Sequence, residues 1–197
     1  FKDADGYYHW ALDQNGLLDD TLVTSSCSLE LSRRAYNKIC KLIQDEEFID
    51  HDKIISENKL NSNKFDRGGI DRSRFSMDSY YPILCQSGTI EDAMETLNKF
   101  YVNGLGIKCV EEEPWVTFAE SSECIMALYK IGLKKEAKKI FDEVMKHKNS
   151  KGYFSTGYQY ELGVYWPEED STWTNAAVIM AADCIHDITG KEKVILI

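Results

Sequence analysis

The sequence predicts an all-α protein, and within that class an α/α toroid: antiparallel helical hairpins forming an incomplete ring of inner and outer helices. Three observations predict it. Apolar residues recur at helical spacing through most of the chain, alternating strand patterns are nearly absent, and one helix–Gly–helix unit occurs twice. The 197 residues, 43% hydrophobic and 12% aromatic, suit one globular core, so residues 1–197 read as a single domain.

Residues 26–43 carry Leu29, Leu31, Ala35, Tyr36, Ile39, Cys40 and Ile43 as an apolar stripe behind the capping-type run Thr24-Ser25-Ser26. A weaker helix is expected over 50–59, and the Asn-, Ser-, Lys- and Gly-rich stretch 56–69 reads as a polar loop. Further helices are expected over 77–86, 89–103, 117–131, 133–148 and 172–188. Pro82 should then lie in a first helical turn, where its missing N–H costs nothing. Thr89 with Asp92 resembles a capping box, and Gly104 and Gly190 stand where helices should stop. The best strand candidates, 7–12 and 153–160, are short and aromatic. On the apolar helical faces, Trp10, Tyr36, Tyr129 and Phe141 are expected in the core.

The repeat sets ILCQSGTIEDAMETLNKF, from Ile83, over ALYKIGLKKEAKKIFDEV, from Ala127, so that Gly88 matches Gly132 and Ala93 matches Ala137. Each copy reads as an αα-hairpin whose Gly closes the turn and whose Ala lets the helices approach. The segments DADGYYHWAL and NSKGYFSTGY echo one another outside these hairpins. A period of about 45 residues exceeds that of a tetratricopeptide repeat; a HEAT-like stack is the alternative to a ring.

Charge and cysteine usage narrow the partners. Lys plus Arg number 23 against 33 Asp plus Glu, a formal net charge of -10 that repels phosphate backbones and argues against nucleic-acid binding. No local basic patch stands out along the chain, because Arg33, Arg34, Lys134 and Lys135 alternate with carboxylates or sit at helix ends. No apolar run approaches the roughly 20 residues of a membrane span. The six cysteines lack any Cys-x-x-Cys pair, which points to a reduced, cytoplasmic protein. The four histidines have no ligand spacing, so neither a metal nor a cofactor is expected. Phe1 opens the chain in mid-motif, which suggests a fragment of a longer protein, or a processed one.

The loops that lead into helices hold the unusual side chains. SRFSMDSYYPIL offers Asp78, Tyr80 and Tyr81. EEEPWVTFAESSE offers Trp115, Thr117, Glu120 and Glu123. GYQYELGVYWPEEDSTWTNAA offers Tyr158, Trp166, Glu168, Glu169, Thr172, Trp173 and Thr174. If the inner helices run parallel, their N-termini gather at one mouth, bringing Asp78, Glu120 and Glu168 or Glu169 around one aromatic-walled cavity. Asp78, Glu120 and Glu168 are the catalytic candidates. Tyr80, Tyr81, Trp115, Thr117, Tyr158, Trp166, Thr172 and Trp173 are the substrate-binding candidates. Carboxylates among flat aromatic faces suit sugar chemistry or the stabilisation of a cationic or isoprenoid chain. The competing structural account is that acids in a first helical turn merely meet the positive end of the helix dipole.

The strings SRFSMDSYYPIL, PWVTFAESSECIMALYKIG, KGYFSTGY and YWPEEDSTWTNAAVIMAAD, in that order, resemble bacterial prenyltransferase-like, or terpenoid cyclase/prenyltransferase, α/α-toroid proteins. The resemblance implies a toroid fold, a match to the C-terminal portion of a longer protein whose N-terminal hairpins are missing here, and an enzyme acting on an isoprenoid or other small molecule, with Asp78 or Glu168 in proton transfer. Ser79 stands where that family tends to carry an aromatic residue, and the Asp-x-Asp-Asp acid of class II terpene cyclases is absent. Related toroids host glycoside hydrolases, lyases and epimerases, so glycan processing with Glu120 and Glu168 as the acid/base pair is the second reading. A non-catalytic helical binding scaffold is the third.

Overall fold

The computed structural model describes residues 12–17, 21–43 and 71–190. The helix expected over 50–59, the loop over 56–69, Trp10 and the N-terminal echo segment lie outside these residues. So does the strand over 7–12 except for Leu12, which opens a small hairpin of β1 (Leu12–Asp13) and β2 (Gly16–Leu17).

Helix α1 (Val23–Ile43) starts three residues earlier than its stripe suggests, and takes in Thr24 and Ser26, both buried. Its inward side centres on Cys27, Glu30 and Cys40, whereas Leu29, Tyr36 and Ile39 are exposed; Tyr36 is therefore not a core residue. The apolar stripe and the buried side differ because a charge, Glu30, is buried and must be paired. Arg33 and Arg34 meet Glu30 at 3.0 and 2.7 Å, and Arg34 Nη2 also donates to the Cys85 carbonyl at 3.0 Å. That last bond ties α1 to α2 (Ser76–Leu84).

Pro82 lies in the last turn of α2, not the first, because the helix begins at Ser76. Cys85 caps it, and the chain turns through Gln86 at φ 62 into α3 (Ile90–Phe100). Thr89 and Asp92 form a complete capping box there: Asp92 N–H donates to Thr89 Oγ1 at 3.2 Å and Thr89 N–H to Asp92 Oδ2 at 2.7 Å. The second hairpin consists of α4 (Phe118–Lys130) and α5 (Lys134–Val144), with Gly132 at φ 97 in its turn. Ala93 and Ala137, matched in the repeat, are both fully buried. A 3-10 turn (Met145–His147) follows α5, and α6 (Thr172–His186) completes the set. Helix α4 packs against α2, α5 and α6, and α1 and α3 each pack against α2.

An antiparallel sheet overturns the all-α, α/α-toroid expectation: the chain is mixed α/β. Strands β3 (Tyr101–Val102), β4 (Gly106–Lys108), β5 (Trp115–Thr117), β6 (Gly157–Gln159) and β7 (Val164–Tyr165) pair in that order. Ile107 lies opposite Thr117, Val116 opposite Tyr158, and Tyr158 opposite Tyr165. Strands of two or three residues are too short to show a period-two alternation in sequence, and buried ones show none at all. The helix expected over 89–103 overran for the same reason. Tyr101 extends the apolar pattern of α3, but its backbone turns to φ -78, ψ 127 and joins the sheet. Of the strand expected over 153–160, only Gly157–Gln159 pairs.

The core joins both layers: Tyr80, Phe100, Phe118, Ile125, Leu128 and Ile140 from helices with Ile107 and Val116 from strands. Phe141 is buried, and Tyr129 is half-buried under the Lys134 ammonium. On α5 the helical period gathers Lys134, Lys135, Lys138 and Lys139 around Asp142 and Glu143, and Lys146 joins them from the 3-10 turn that follows, a basic patch that linear alternation hides. Among the described residues, no helix is long and apolar enough to cross a membrane, and the six cysteines are thiols.

Gly157 tests the sheet. A Cβ there would stand 2.5 Å from the Val116 carbonyl oxygen, which is fixed in the backbone of β5, and 2.5 Å from Trp115 Nε1, which is held by its hydrogen bond to the Trp166 carbonyl. At Gly132 nothing lies within 4 Å, and only the positive φ opposes a side chain. Gly157→Ala should therefore lose about 2–4 kcal/mol of unfolding free energy and Gly132→Ala about 1 kcal/mol, as read by urea titration. Equal losses would contradict this account of the β5–β6 contact.

Candidate functional site

Strand β5 runs directly into α4, so the sheet fixes where that helix begins. Thr117 caps α4 from extended backbone, without a side-chain capping bond. Ser121 Oγ donates to the Thr117 carbonyl at 2.6 Å and accepts the Ile107 N–H at 2.8 Å, stitching the first turn of α4 to both β5 and β4. The first and second turns then present Ala119, Glu120 and Glu123 along one face, since residues three apart are neighbours on a helix. The start of α2 supplies Met77, and the start of α6 supplies Ser171, Trp173 and Thr174. The segment around β6 and β7 adds Thr156 and Glu169. Together these residues line one cavity of about 210 Å³.

Three carboxylates therefore face one hollow, each held differently. Glu123 accepts two phenol hydrogen bonds, Tyr80 to Oε2 at 2.7 Å and Tyr81 to Oε1 at 3.2 Å. Burial pushes its pKa above the ordinary 4.5 and the neighbouring Glu120 charge adds to that, while the two phenols oppose it. Burial and the Glu123 charge in turn raise both tyrosines, so they remain phenols and donors. Burial first, and then the neighbouring Glu120 carboxylate, push the Cys109 thiol up to about 12. Glu169 is exposed and accepts the Thr156 hydroxyl at 2.9 Å. Trp173, 66% exposed, provides an uncovered indole at the rim.

The expected site residues fall in different places. Glu120 and Trp173 line the cavity. Asp78 does not: in the first turn of α2 it forms a two-point ion pair with Arg72, at 2.9 and 3.1 Å, with Arg72 lying over the Phe75 ring at 4.8 Å. Burial raises its pKa and the guanidinium opposes that. Glu168 is exposed and outside the lining; its neighbour Glu169 takes the inward place. Tyr80 and Tyr81 stand behind the cavity as the clamp on Glu123.

Trp115 is spent on structure. Its Nε1 donates to the Trp166 carbonyl at 3.0 Å, and the two indoles meet edge-on at 5.3 Å. Trp166 itself is 57% exposed. Tyr158 packs against His147 and Tyr165, and burial lowers the pKa of His147. Thr117 is buried at the β5–α4 junction and Thr172 is exposed at the start of α6. Neither lines the cavity. Met77, Thr156 and Ser171 carry no chemical signature that would have singled them out. Glu123 does carry one, its spacing of three from Glu120. Among the described residues, no group of three or more His, Cys, Asp or Glu is arranged to hold a metal.

The lining includes no Lys, Arg or His. Three carboxyl groups would repel the diphosphate of an isoprenoid donor, whereas a neutral polyol offers them hydroxyl donors.

No family model matches the chain. It is 32% identical over 190 residues to a curated protein of Mycolicibacterium hassiacum named MMP endo-(1,4)-3-O-methyl-alpha-D-mannosidase. The match covers 93% of this chain and 52% of the relative, so the chain spans about half the length of the protein it resembles. That relative is by name a glycan-processing enzyme. The prenyltransferase-like and terpenoid cyclase resemblance, and the transferase activity it implied, are overturned by this match and by the mixed α/β architecture. The saccharide alternative is the one it fits.

The Glu123 clamp has a signature in pH. A carboxyl whose folded pKa is raised contributes stability that is complete below its unfolded value and lost as pH rises through the folded one. Glu123→Gln removes that loss. Urea unfolding from about pH 4 to about pH 8 should show the difference between variant and wild type moving in the variant's favour as pH rises. Parallel profiles would contradict the assignment.

Proposed function

We propose that the cavity at the leading ends of α2, α4 and α6 belongs to the saccharide site of a glycan-processing enzyme, a glycosidase acting on α-(1,4)-linked 3-O-methyl-D-mannose units. The observation that carries this reading is the convergence of Glu120, Glu123 and Glu169 beside the uncovered Trp173 in one cavity free of cationic side chains. The named activity of the half-matched relative supports the same substrate class.

Glycosidic cleavage needs one carboxyl to protonate the departing oxygen and a carboxylate to activate water or attack the anomeric carbon. Glu120 and Glu169 reach the cavity from opposite elements and serve as that pair, with Glu169 in the place first assigned to Glu168. Glu123 is a positioning residue: dehydrated and held by Tyr80 and Tyr81, it sets the local charge that Glu120 meets one turn earlier on α4. Trp173 offers an apolar face for the C–H side of a sugar ring. A 3-O-methyl group makes such a ring more apolar, which favours an indole over a purely polar wall.

The test is to supply the protein with an α-(1,4)-linked 3-O-methylmannose oligosaccharide and follow both cleavage and binding, the latter by quenching of tryptophan fluorescence. Glu120→Gln and Glu169→Gln should each lower kcat by roughly 100- to 10,000-fold while Glu168→Gln stays near wild type. Trp173→Ala should weaken binding. Full turnover in both glutamine variants, or saccharide binding indifferent to Trp173, would overturn the reading.

A further inference from the structure

Away from the cavity, two cysteines from different elements meet at the α1–α2 junction. Cys27 lies in the second turn of α1 and Cys85 caps α2, 58 residues on, with their Sγ atoms 3.4 Å apart and both side chains fully buried. We propose that this pair is a redox-modification site, at which a peroxide converts the two thiols to a reversible disulfide that fastens α1 to the α2–α3 hairpin. Reaching the roughly 2.05 Å of a disulfide requires the two sulfur atoms to close by little more than an ångström, within reach of side-chain rotation at a helix cap.

The surroundings distinguish the two sulfurs. Cys85 stands against the Pro82 carbonyl at 3.3 Å and the Ser87 hydroxyl at 3.6 Å, and its own carbonyl accepts the Arg34 guanidinium. Contact with the Cys27 thiol, the Ser87 hydroxyl and the Arg34 charge favour ionisation of Cys85 against burial and the Glu30 carboxylate. Cys27 is pushed the other way by its contact with Cys85, by burial and by the Asp78 and Glu30 charges. Cys85 is thus the attacking thiolate and Cys27 the resolving thiol.

In the first step the Cys85 thiolate attacks one oxygen of hydrogen peroxide. An S–O bond forms, the O–O bond breaks, and hydroxide leaves and takes up the proton that Cys85 gave up, becoming water. In the second step Cys27, losing its proton, attacks the sulfenic sulfur. The S–S bond forms, the S–O bond breaks, and hydroxide departs with that proton as a second water. Two thiols give up two electrons, and one peroxide accepts them. The full burial of both thiols selects a small neutral oxidant over a bulky disulfide such as oxidised glutathione, and makes the reaction depend on local opening of the junction.

The bond would act on the same helix that holds the cavity's clamp. The Cys85 N–H donates to the Tyr81 carbonyl at 3.0 Å, so the cross-link would anchor α2 one turn beyond the phenols on Glu123. The inference stands independently of the saccharide reading.

The test exposes the purified protein to hydrogen peroxide, alkylates remaining thiols under denaturing conditions, and maps peptides by mass spectrometry without reduction. A Cys27–Cys85 linked peptide that disappears with dithiothreitol is expected, together with a rise in Tm of about 5 °C or more. In Cys27→Ser, which lacks the resolving thiol, a dimedone adduct should accumulate at Cys85. Recovery of both residues as alkylated thiols while other cysteines oxidise would overturn the proposal. So would linkage of either cysteine to Cys40, Cys109, Cys124 or Cys184 at equal yield. The wild-type peptide map decides this even if the serine variant fails to fold.

Discussion

The candidate site depends on the dehydration of one carboxyl group, Glu123, against two phenols that another helix presents to it. Tyr80 is fully buried, so its hydroxyl has nowhere to turn except toward α4, and the 2.7 Å bond to Glu123 is the consequence. That bond and its partner from Tyr81 set how α2 and α4 face each other. The space left in front of them, bounded by the first turn of α6, is the cavity. A polar contact of this kind is costly if half-made and specific when complete. It explains why two tyrosines that read as substrate-binding residues instead lie behind the wall they were expected to form.

The sheet gives this contact its precision. Each strand is only two or three residues long, yet β5 passes straight into α4 and β6 leads toward the segment that carries Glu169. Ser121 bridges the start of α4 to β4 and β5 through two hydrogen bonds, so the helix cannot slide along its axis without breaking sheet contacts. The carboxylates of Glu120 and Glu123 therefore inherit their position from strand pairing, while Glu169 inherits its own from the turn between β7 and α6. Charge on the cavity then follows from composition in miniature: an acidic chain gathers acids where its helix N-termini converge, and the positive ends of those helices offset part of the repulsion.

Much of the helical framework was legible in the sequence because long amphipathic stretches repeat every 3.6 residues, the turns between them are marked by Gly88 and Gly132, and the start of α3 is marked by the Thr89–Asp92 box. The gathering of helix starts was legible too, since unusual side chains cluster just ahead of α2, α4 and α6. The sheet was not, for strands this short are specified by their neighbours and carry no period of their own. Among site residues, Glu120 was legible as an acid at a helix start, but which of Glu168 and Glu169 turns inward depends on the chain's path after β7, which sequence does not encode locally. The pairing of Asp78 was not legible, because its partner, Arg72, lies in a 3-10 turn whose folding back onto α2 only the structure shows. Tyr36 misled because a buried ion pair, not the apolar stripe, decides which side of α1 faces inward.

The central claim is that the leading turns of α2, α4 and α6 share one saccharide-accepting hollow. A crystal structure of the protein with a 3-O-methylmannose oligosaccharide tests it most directly. The account predicts a sugar ring on the Trp173 indole, with hydroxyl or glycosidic oxygens at hydrogen-bond distance, roughly 3 Å, from Glu120 and Glu169. A saccharide seated elsewhere, on the exposed Trp166 or along β7 with the three carboxylates left to water, would contradict it.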